Sequence, residues 1–359
     1  MTKRIFTLLL AVLVLAGTGC HRRDLEDMVE RINLRVDVNI KAVASVTTNV
    51  YNEHIPVPDL NTDMMRVMVY DPKSKNLLTQ SFISNKSVSA DGDQVLSGEL
   101  NISYGDYDML VYNFDTPTTQ VTGENSENTI LCYTDPLPAS VRAHYLGSLR
   151  NQNSTKANTD DDPYADLAIN YEPDHVLVAR EENLHVSAHD TVVVIHTTAK
   201  TVVDTYYIQI HVEGMQFASS ATALISGLAP SRLMGIGKPV IDKPSAICFD
   251  LVKSIDENIP GANKDVLCAT FNTFGKIEDA TSDLLVTFNV VDTGGNLQQK
   301  MINLDRIFKT EDAIERHWLL IDETWTIVDP GNNKPPSTGG GGFQPTVDDW
   351  QEEHGEIEI

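Results

Sequence analysis

The chain has 359 residues, of which 41 % are hydrophobic and 22 % are charged, so it is long enough for one to three globular domains. Its 51 acidic residues outnumber 27 basic ones, which gives a formal net charge of −24 at pH 7. Such a charge repels nucleic acid and anionic membrane surfaces and argues against both as ligands.

The N-terminus has the pattern of an export signal. Lys3 and Arg4 precede an apolar run over residues 5–16, and small residues from Gly17 lead to Cys20. The run is shorter than the roughly 20 residues that a membrane-spanning helix needs. A cysteine at this place resembles the bacterial lipobox, although Gly17 stands where that motif usually has leucine. We therefore predict a signal peptide over residues 1–19 and lipidation of Cys20; the alternative is an ordinary signal peptide cut nearby.

After a lipidated linker over residues 20–30, the first half reads as short strands with alternating apolar residues and Gly, Pro, Asn or Asp between them. This spacing is typical of antiparallel sheets and not of βαβ units. We assign these strands to a domain over residues 31–182, with a polar loop at 151–163. The predicted strands are Arg35–Ile40, Met65–Tyr70, Leu77–Ile83, Ser97–Ile102 and Tyr107–Phe114.

A second strand series begins near Leu184 and forms a predicted domain over residues 183–329. Asp292 to Gly295 form a hairpin turn signal, and helical signal is sparse, with Ala139–Leu149 as one candidate. Residues 330–359 are rich in Gly and Pro and end in acidic residues, which predicts a flexible tail. The strands of this half are Thr191–Ile195, Tyr206–Val212, Ser220–Ser226, Ala246–Val252, Asp265–Phe271, Leu284–Val291, Leu297–Ile302 and Trp318–Val328.

Five phrases carry a resemblance to a known family. They are Val67–Asp71, Gly105–Asn113, Ser220–Gly227, Thr270–Gly275 and Gly341–Trp350. Together they resemble phrases of the Bacteroidales fimbrillin-like and fimbrium anchor-like lipoproteins, and the likeness spans most of the chain after the signal. The resemblance implies an all-β fold of two tandem antiparallel β-sandwich domains of the transthyretin-like, Greek-key kind.

The resemblance also implies a role. Proteins of this family join other fimbrial or surface subunits by strand exchange, in which an extended segment of one fills a groove in the next. Shaft subunits are cut after a basic residue, and Arg23, Arg31 and Arg35 lie in the corresponding region. An anchor subunit keeps its lipidated N-terminus, and the residues alone leave anchor, shaft and tip roles open.

The tail and the linker add two expectations. Phe343 and Trp350 stand in the polar tail, where an aromatic side chain has no obvious core, so we predict that they dock on a partner. Acidic residues at 24, 26 and 27 resemble surface-export signals of Bacteroidales lipoproteins, although basic residues at 22 and 23 interrupt that pattern. We expect an outer-membrane location, exposed at the cell surface, with the lipid as the sole membrane contact.

The sequence has no pattern that predicts catalysis. No GxSxG, HExxH or P-loop motif is present, and we expect no enzyme activity, no cofactor and no metal site. His185 and His189 have a helical zinc spacing, but their surroundings are β-like, which favours solvated strand histidines. The acidic run 160–162 could offer calcium ligands, and a solvated loop is the simpler interpretation.

Tryptophans and cysteines leave two alternatives open. Sugars stack on aromatic faces, so Trp318, Trp325 and Trp350 raise a surface glycan-binding role as the alternative function. Apart from Cys20, the cysteines are Cys132, Cys248 and Cys268. The last two lie in neighbouring strand-like runs and could pair, while buried free thiols are equally compatible with the sequence.

Overall fold

The computed structural model describes residues 31–40, 60–142, 145, 167–256, 264–277 and 284–331. Within these ranges the chain is built almost wholly from strands, which confirms the predicted all-β class. The strands are β1 (Ile32–Ile40), β2 (Met65–Tyr70), β3 (Leu77–Ile83), β4 (Asn85–Val88), β5 (Gln94–Ile102), β6 (Gly105–Asn113), β7 (Thr119–Thr122), β8 (Leu131–Thr134), β9 (Ala168–Asn170), β10 (Leu177–Val186), β11 (Val192–Thr201), β12 (Asp204–Glu213), β13 (Ala218–Leu228), β14 (Ser231–Leu233), β15 (Lys238–Pro239), β16 (Ser245–Asp250), β17 (Val252–Asp256), β18 (Lys264–Thr273), β19 (Leu285–Asp292), β20 (Leu297–Asn303) and β21 (Trp318–Thr326).

Helical structure in the described ranges is short. Residues 139–142 are helical, in the region where the sequence predicts a helix. Single 3₁₀ turns cover Met215–Phe217 and Ile307–Lys309. The α-helix Glu311–Glu315 begins where the Thr310 side chain accepts a hydrogen bond from the Ala313 N–H, a capping contact that fixes its first turn.

The first sandwich contains eight strands in the order β3-β2-β6-β10-β11-β1-β5-β4. β10 and β11 pair only at Leu177–Thr201 and Val178–Lys200, so the sheet divides there into two facing layers. At the opposite side the chain passes from one layer to the other between β3 and β4. The alternating side chains of both layers meet in a buried core that includes Val36, Val67, Leu96, Val111 and Ala199.

The second sandwich consists of two sheets packed face to face. One has four strands in the order β17-β18-β12-β21, and the other has five in the order β20-β19-β13-β16-β9. Its core is rich in aromatic rings, because Phe249 and Phe271 stack with centroids 5.0 Å apart and Tyr206 packs edge-on against Phe308. Buried aliphatic side chains from both sheets fill the remaining space.

A small third sheet, in the order β15-β14-β8-β7, takes two strands from each half of the chain. Its side chains close a separate core against the outer face of β2 and β6 and against the second sandwich. Tyr70 and Tyr112 belong to this core together with Cys132, Met234 and Phe274. The two sandwiches are therefore joined by packed side chains as well as by the connecting chain.

Each predicted strand overlaps an observed one, and β2 and β3 have the predicted bounds. Three strand pairs are parallel, which the antiparallel expectation did not include: β1 with β11, β12 with β21, and β9 with β16. The division between domains at residues 182 and 183 stays a prediction. Both of those residues lie within β10, which pairs with β6.

Candidate functional site

The feature that bears on strand exchange is the position of β1 between β5 and β11, which we call the seat of β1. This strand lies in the interior of its sheet, with all nine residues paired antiparallel to β5 and eight of them paired parallel to β11. Its inward side chains are all buried, namely Ile32, Leu34, Val36, Val38 and Ile40. Alternation in the sequence places these five on one face, so β1 supplies a continuous row of the first core.

The other face of β1 is polar. Arg35 contacts Asp37 at 3.0 Å, measured from Nε to Oδ1, and the His196 ring of β11 lies 3.5 Å from the same carboxylate. Asn33 donates to Glu99 of β5 at 3.0 Å. These contacts tie β1 to both neighbours through side chains in addition to the backbone ladders.

The residues predicted for processing and docking fall in different places. Arg31 is exposed and directly precedes β1, whereas Arg35 lies within the strand, with an exposed side chain and a backbone paired on both sides. Cys20 and Arg23 lie outside the described residues, as do Phe343 and Trp350. Of the predicted site residues, the described part of the chain thus includes only Arg31 and Arg35, and no contact joins them there.

A polar joint links the two sandwiches between β9 and β10. The Asn272 backbone N–H donates to Glu172 at 2.7 Å, and the Asp174 carboxylate accepts from the Thr118 hydroxyl at 2.7 Å. The His175 ring lies between hydroxyls of both sandwiches, with Nδ1 3.0 Å from Thr201 and Nε2 3.3 Å from Thr205.

Burial sets the ionisation of this joint. Burial raises the pKa of Glu172 to about 7, against the opposing hydrogen bond from Asn272, and the nearby Asp174 raises it further. Burial also lowers the pKa of His175, although Asp174 acts in the opposite direction. The joint therefore holds titratable groups whose charged forms the fold disfavours.

A second buried network fastens the loop before β8 to the first sandwich. The Lys75 ammonium contacts Asp108 and lies 2.9 Å from Glu127, whose other oxygen lies 2.8 Å from Arg180. Burial alone would raise the pKa of Asp108, but the hydrogen bond from Lys75 holds it below its usual range. No local sequence pattern indicates this network, because its members are far apart along the chain.

The structure does not support metal binding by the histidine pair that the sequence suggested. His185 lies in β10 with Nδ1 2.7 Å from Asp106, whereas His189 follows the strand in the turn. No group of three metal-binding side chains occurs within the parts of the chain that the structure describes, and the acidic run 160–162 lies outside them. Nor does any helix in those parts have the length and apolar character needed to cross a membrane.

The cysteines and tryptophans among the described residues lie in buried cores. Cys132, Cys248 and Cys268 are free and buried; the last two lie in opposite sheets and belong to different clusters, so they do not pair. Trp318 and Trp325 are buried in the second sandwich. Neither ring offers an exposed face on which a sugar could stack.

One relative with a name matches nearly the whole chain. A Bacteroides ovatus protein named "Putative fimbrium anchoring subunit Fim4B" is 21 % identical over 380 residues, covering 97 % of this chain and 96 % of that protein. This match confirms the predicted resemblance to Bacteroidales fimbrium anchor-like proteins.

Two solved structures are also similar over most of their length. A Bacteroides ovatus structure described as "a putative adhesin" has a TM-score of 0.48 and 19 % identity, over 88 % of this chain and 96 % of its own. The fimbrial anchor protein Mfa2 from Porphyromonas gingivalis has a TM-score of 0.43 and 13 % identity, over 81 % of this chain and 88 % of its own.

A family model also matches this chain. Residues 19–250 match the family described as "Domain of unknown function (DUF5119)". Because the match covers more than half of the chain, the chain belongs to that family.

Proposed function

We propose that this chain is a non-enzymatic lipoprotein of the cell surface that serves as a fimbrium anchor or as an accessory subunit for adhesion. The name of the full-length relative from Bacteroides ovatus supports a fimbrial role. The observation that favours an anchor over a shaft subunit is the seat of β1, which fills its own sandwich and does not stand apart as an exchangeable segment.

The energy of that seat supports retention of β1. Each of its five buried apolar side chains contributes about 2 kcal/mol by leaving water, so the row contributes on the order of 10 kcal/mol. That sum is comparable with the whole stability of a typical domain. Removal of β1 would leave an open groove between β5 and β11, and the core beneath it would be exposed to water until another strand filled the groove.

The lipid and β1 form one continuous tether in this proposal. Cys20 carries the lipid in the outer membrane, and only about a dozen residues separate it from Ile32. Cleavage after Arg23 or Arg31 would release the protein from the membrane but leave β1 intact. Cleavage after Arg35 would divide β1 itself.

The opposite end of the chain is the proposed donor. β21 is an edge strand of its sheet, and the tail over residues 330–359 follows it directly. In β-strand addition, main-chain hydrogen bonds give affinity and alternate side chains fill pockets. Phe343 and Trp350 are suited to such pockets in the first fimbrial subunit.

The test replaces the chromosomal copy with variants and measures fimbriae on cells and in the medium by immunoblotting and electron microscopy. Cys20→Ser should move fimbriae into the medium with their length distribution unchanged. Deletion from Gly339 onward, or the double change Phe343→Ala with Trp350→Ala, should prevent attachment although the lipoprotein itself stays on the cell.

A deletion of only Gly339–Gly342 keeps both aromatic residues and serves as the matched control. Normal attachment in the double variant would refute donation by the tail. The glycan-binding alternative remains a prediction, and the burial of Trp318 and Trp325 gives it no support.

A further inference from the structure

Several edge strands in the described parts of the chain carry features that discourage further pairing. β10 lies at the edge of its layer beyond its two pairs with β11, and its ladder with β6 has a bulge between Glu181 and Leu184, with Asn183 at a φ of 56°. β15 contains Pro239, and β4, β7 and β9 have four residues or fewer. Bulges, prolines and short strands are the usual ways in which proteins protect sheet edges.

β11 has none of these features. Its ten residues contain no proline or glycine and begin with four β-branched side chains, Val192 to Ile195. Its pairing with β10 is confined to Lys200 and Thr201. Residues 192–199 pair with β1 on one side, and the edge on their other side has no ladder partner among the described residues. Val192 and Val194 are 54 % and 44 % exposed.

The direction of the hydrogen-bonding groups along this edge follows from the paired end. The Val202 N–H donates to Val176 next to β10 at 2.8 Å, so the N–H of Val202 points toward the β10 side. Because these groups alternate along a strand, the N–H groups of Val194 and His196 also point to that side. An incoming extended segment would therefore find free donors and acceptors at alternate residues.

The charges near the edge define the partner. Glu181 lies on the facing strand β10, and Asp190 lies in the turn that leads into β11, whereas Lys200 lies at the end of β11 that pairs with β10. The nearby Arg180 is already engaged by Glu127 and Glu182 at 2.8 and 2.7 Å. The net charge of −24 also opposes pairing with a second copy.

We infer that the open edge of β11 accepts an extended segment of a partner protein in which β-branched and basic residues alternate. This interaction adds a second docking surface to the proposed donor role of the tail. It depends on neither the tail nor the lipid, so the two proposals can fail separately.

The test uses the full chain with Cys20→Ser and a fluorescein-labelled probe peptide of about ten residues in which valine and lysine alternate. A matched peptide of the same length and charge has proline at every second valine, which removes backbone donors. We expect the first peptide to bind at least about tenfold more tightly by fluorescence anisotropy. Hydrogen exchange of residues 192–198 should slow when it binds.

Substitutions at Val194 separate backbone pairing from charge attraction. Val194→Pro removes an N–H that points to the open edge, and Val194→Thr is its control. Val194→Lys repels the basic probe, and Val194→Glu is its charge-reversed control. The Pro and Lys variants should weaken binding by about tenfold or more, while the Thr and Glu variants should not. If Val194→Pro fails to fold, the Lys and Glu pair decides.

Three outcomes would overturn the inference. Equal binding of both peptides would mean that charge alone attracts the probe. Equal affinity of the Lys and Glu variants would place the docking surface elsewhere. Concentration-dependent dimers with slow exchange at residues 192–198 and no peptide would show that a second copy occupies the edge.

Discussion

Replacement of Glu172 by glutamine should stabilise the protein in a pH-dependent way. The buried carboxyl has its pKa raised from 4.5 to about 7, a difference that corresponds to about 3 kcal/mol between its two protonation states. Because the folded-state pKa is the higher one, the contribution of this group to stability is fully present below pH 4.5. That contribution is lost as the pH rises through 7.

Glutamine cannot ionise, and its side-chain oxygen can still accept the Asn272 N–H. We therefore expect Glu172→Gln to raise the free energy of unfolding by about 3 kcal/mol at pH 8 and by about 1 kcal/mol at pH 5. Urea denaturation followed by the fluorescence of the buried Trp318 and Trp325 measures both values.

Glu315→Gln is the matched control, because Glu315 is exposed and its replacement should change stability by less than about 0.5 kcal/mol at either pH. A gain for Glu172→Gln of equal size at pH 5 and pH 8 would refute the reasoning, since it could not come from ionisation. So would the absence of a gain at pH 8.

Three further predictions concern other parts of the molecule. Limited trypsin digestion of the folded protein should cut after Arg31 but not after Arg35, as read by N-terminal sequencing, and rapid cleavage at Arg35 would contradict a firmly seated β1. Lys75→Met should cost about 3–5 kcal/mol in urea denaturation because it leaves the buried Asp108 carboxylate without its cation, although Glu127 keeps Arg180, whereas the exposed Lys73→Met should cost almost nothing. The three described cysteines should react with a thiol reagent only after unfolding, because burial raises their pKa values, and fast labelling of the native protein would contradict this.

The strands could be predicted where one face is buried and the other face is exposed to solvent. β2 and β3 are examples, because alternation and a following turn define both of their ends. β7, β8, β14 and β15 were not predicted, since two to four residues carry too little periodicity. They form a sheet only because distant parts of the chain meet.

The candidate site shows the same limit. Alternation identified much of β1, but its parallel partner β11 lies about 160 residues away, and no local pattern specifies that pairing. The joint around Glu172 lies in a segment that the sequence marked as the close of the first half. The raised pKa of Glu172, however, comes mainly from burial, against a hydrogen bond from Asn272 of the other sandwich, and no local pattern indicates either.

The parallel pairing of β1 has a mechanical consequence for a tethered protein. In the proposed anchor, tension applied through Cys20 would pull β1 lengthwise, and its ladders with β5 and β11 would resist in shear, with many hydrogen bonds loaded together. β21 has the matching arrangement at the other end, because it pairs with β12 and continues into the tail. Under the proposed attachments at Cys20 and at the tail, a load would therefore enter and leave through strands that must slide before they can separate.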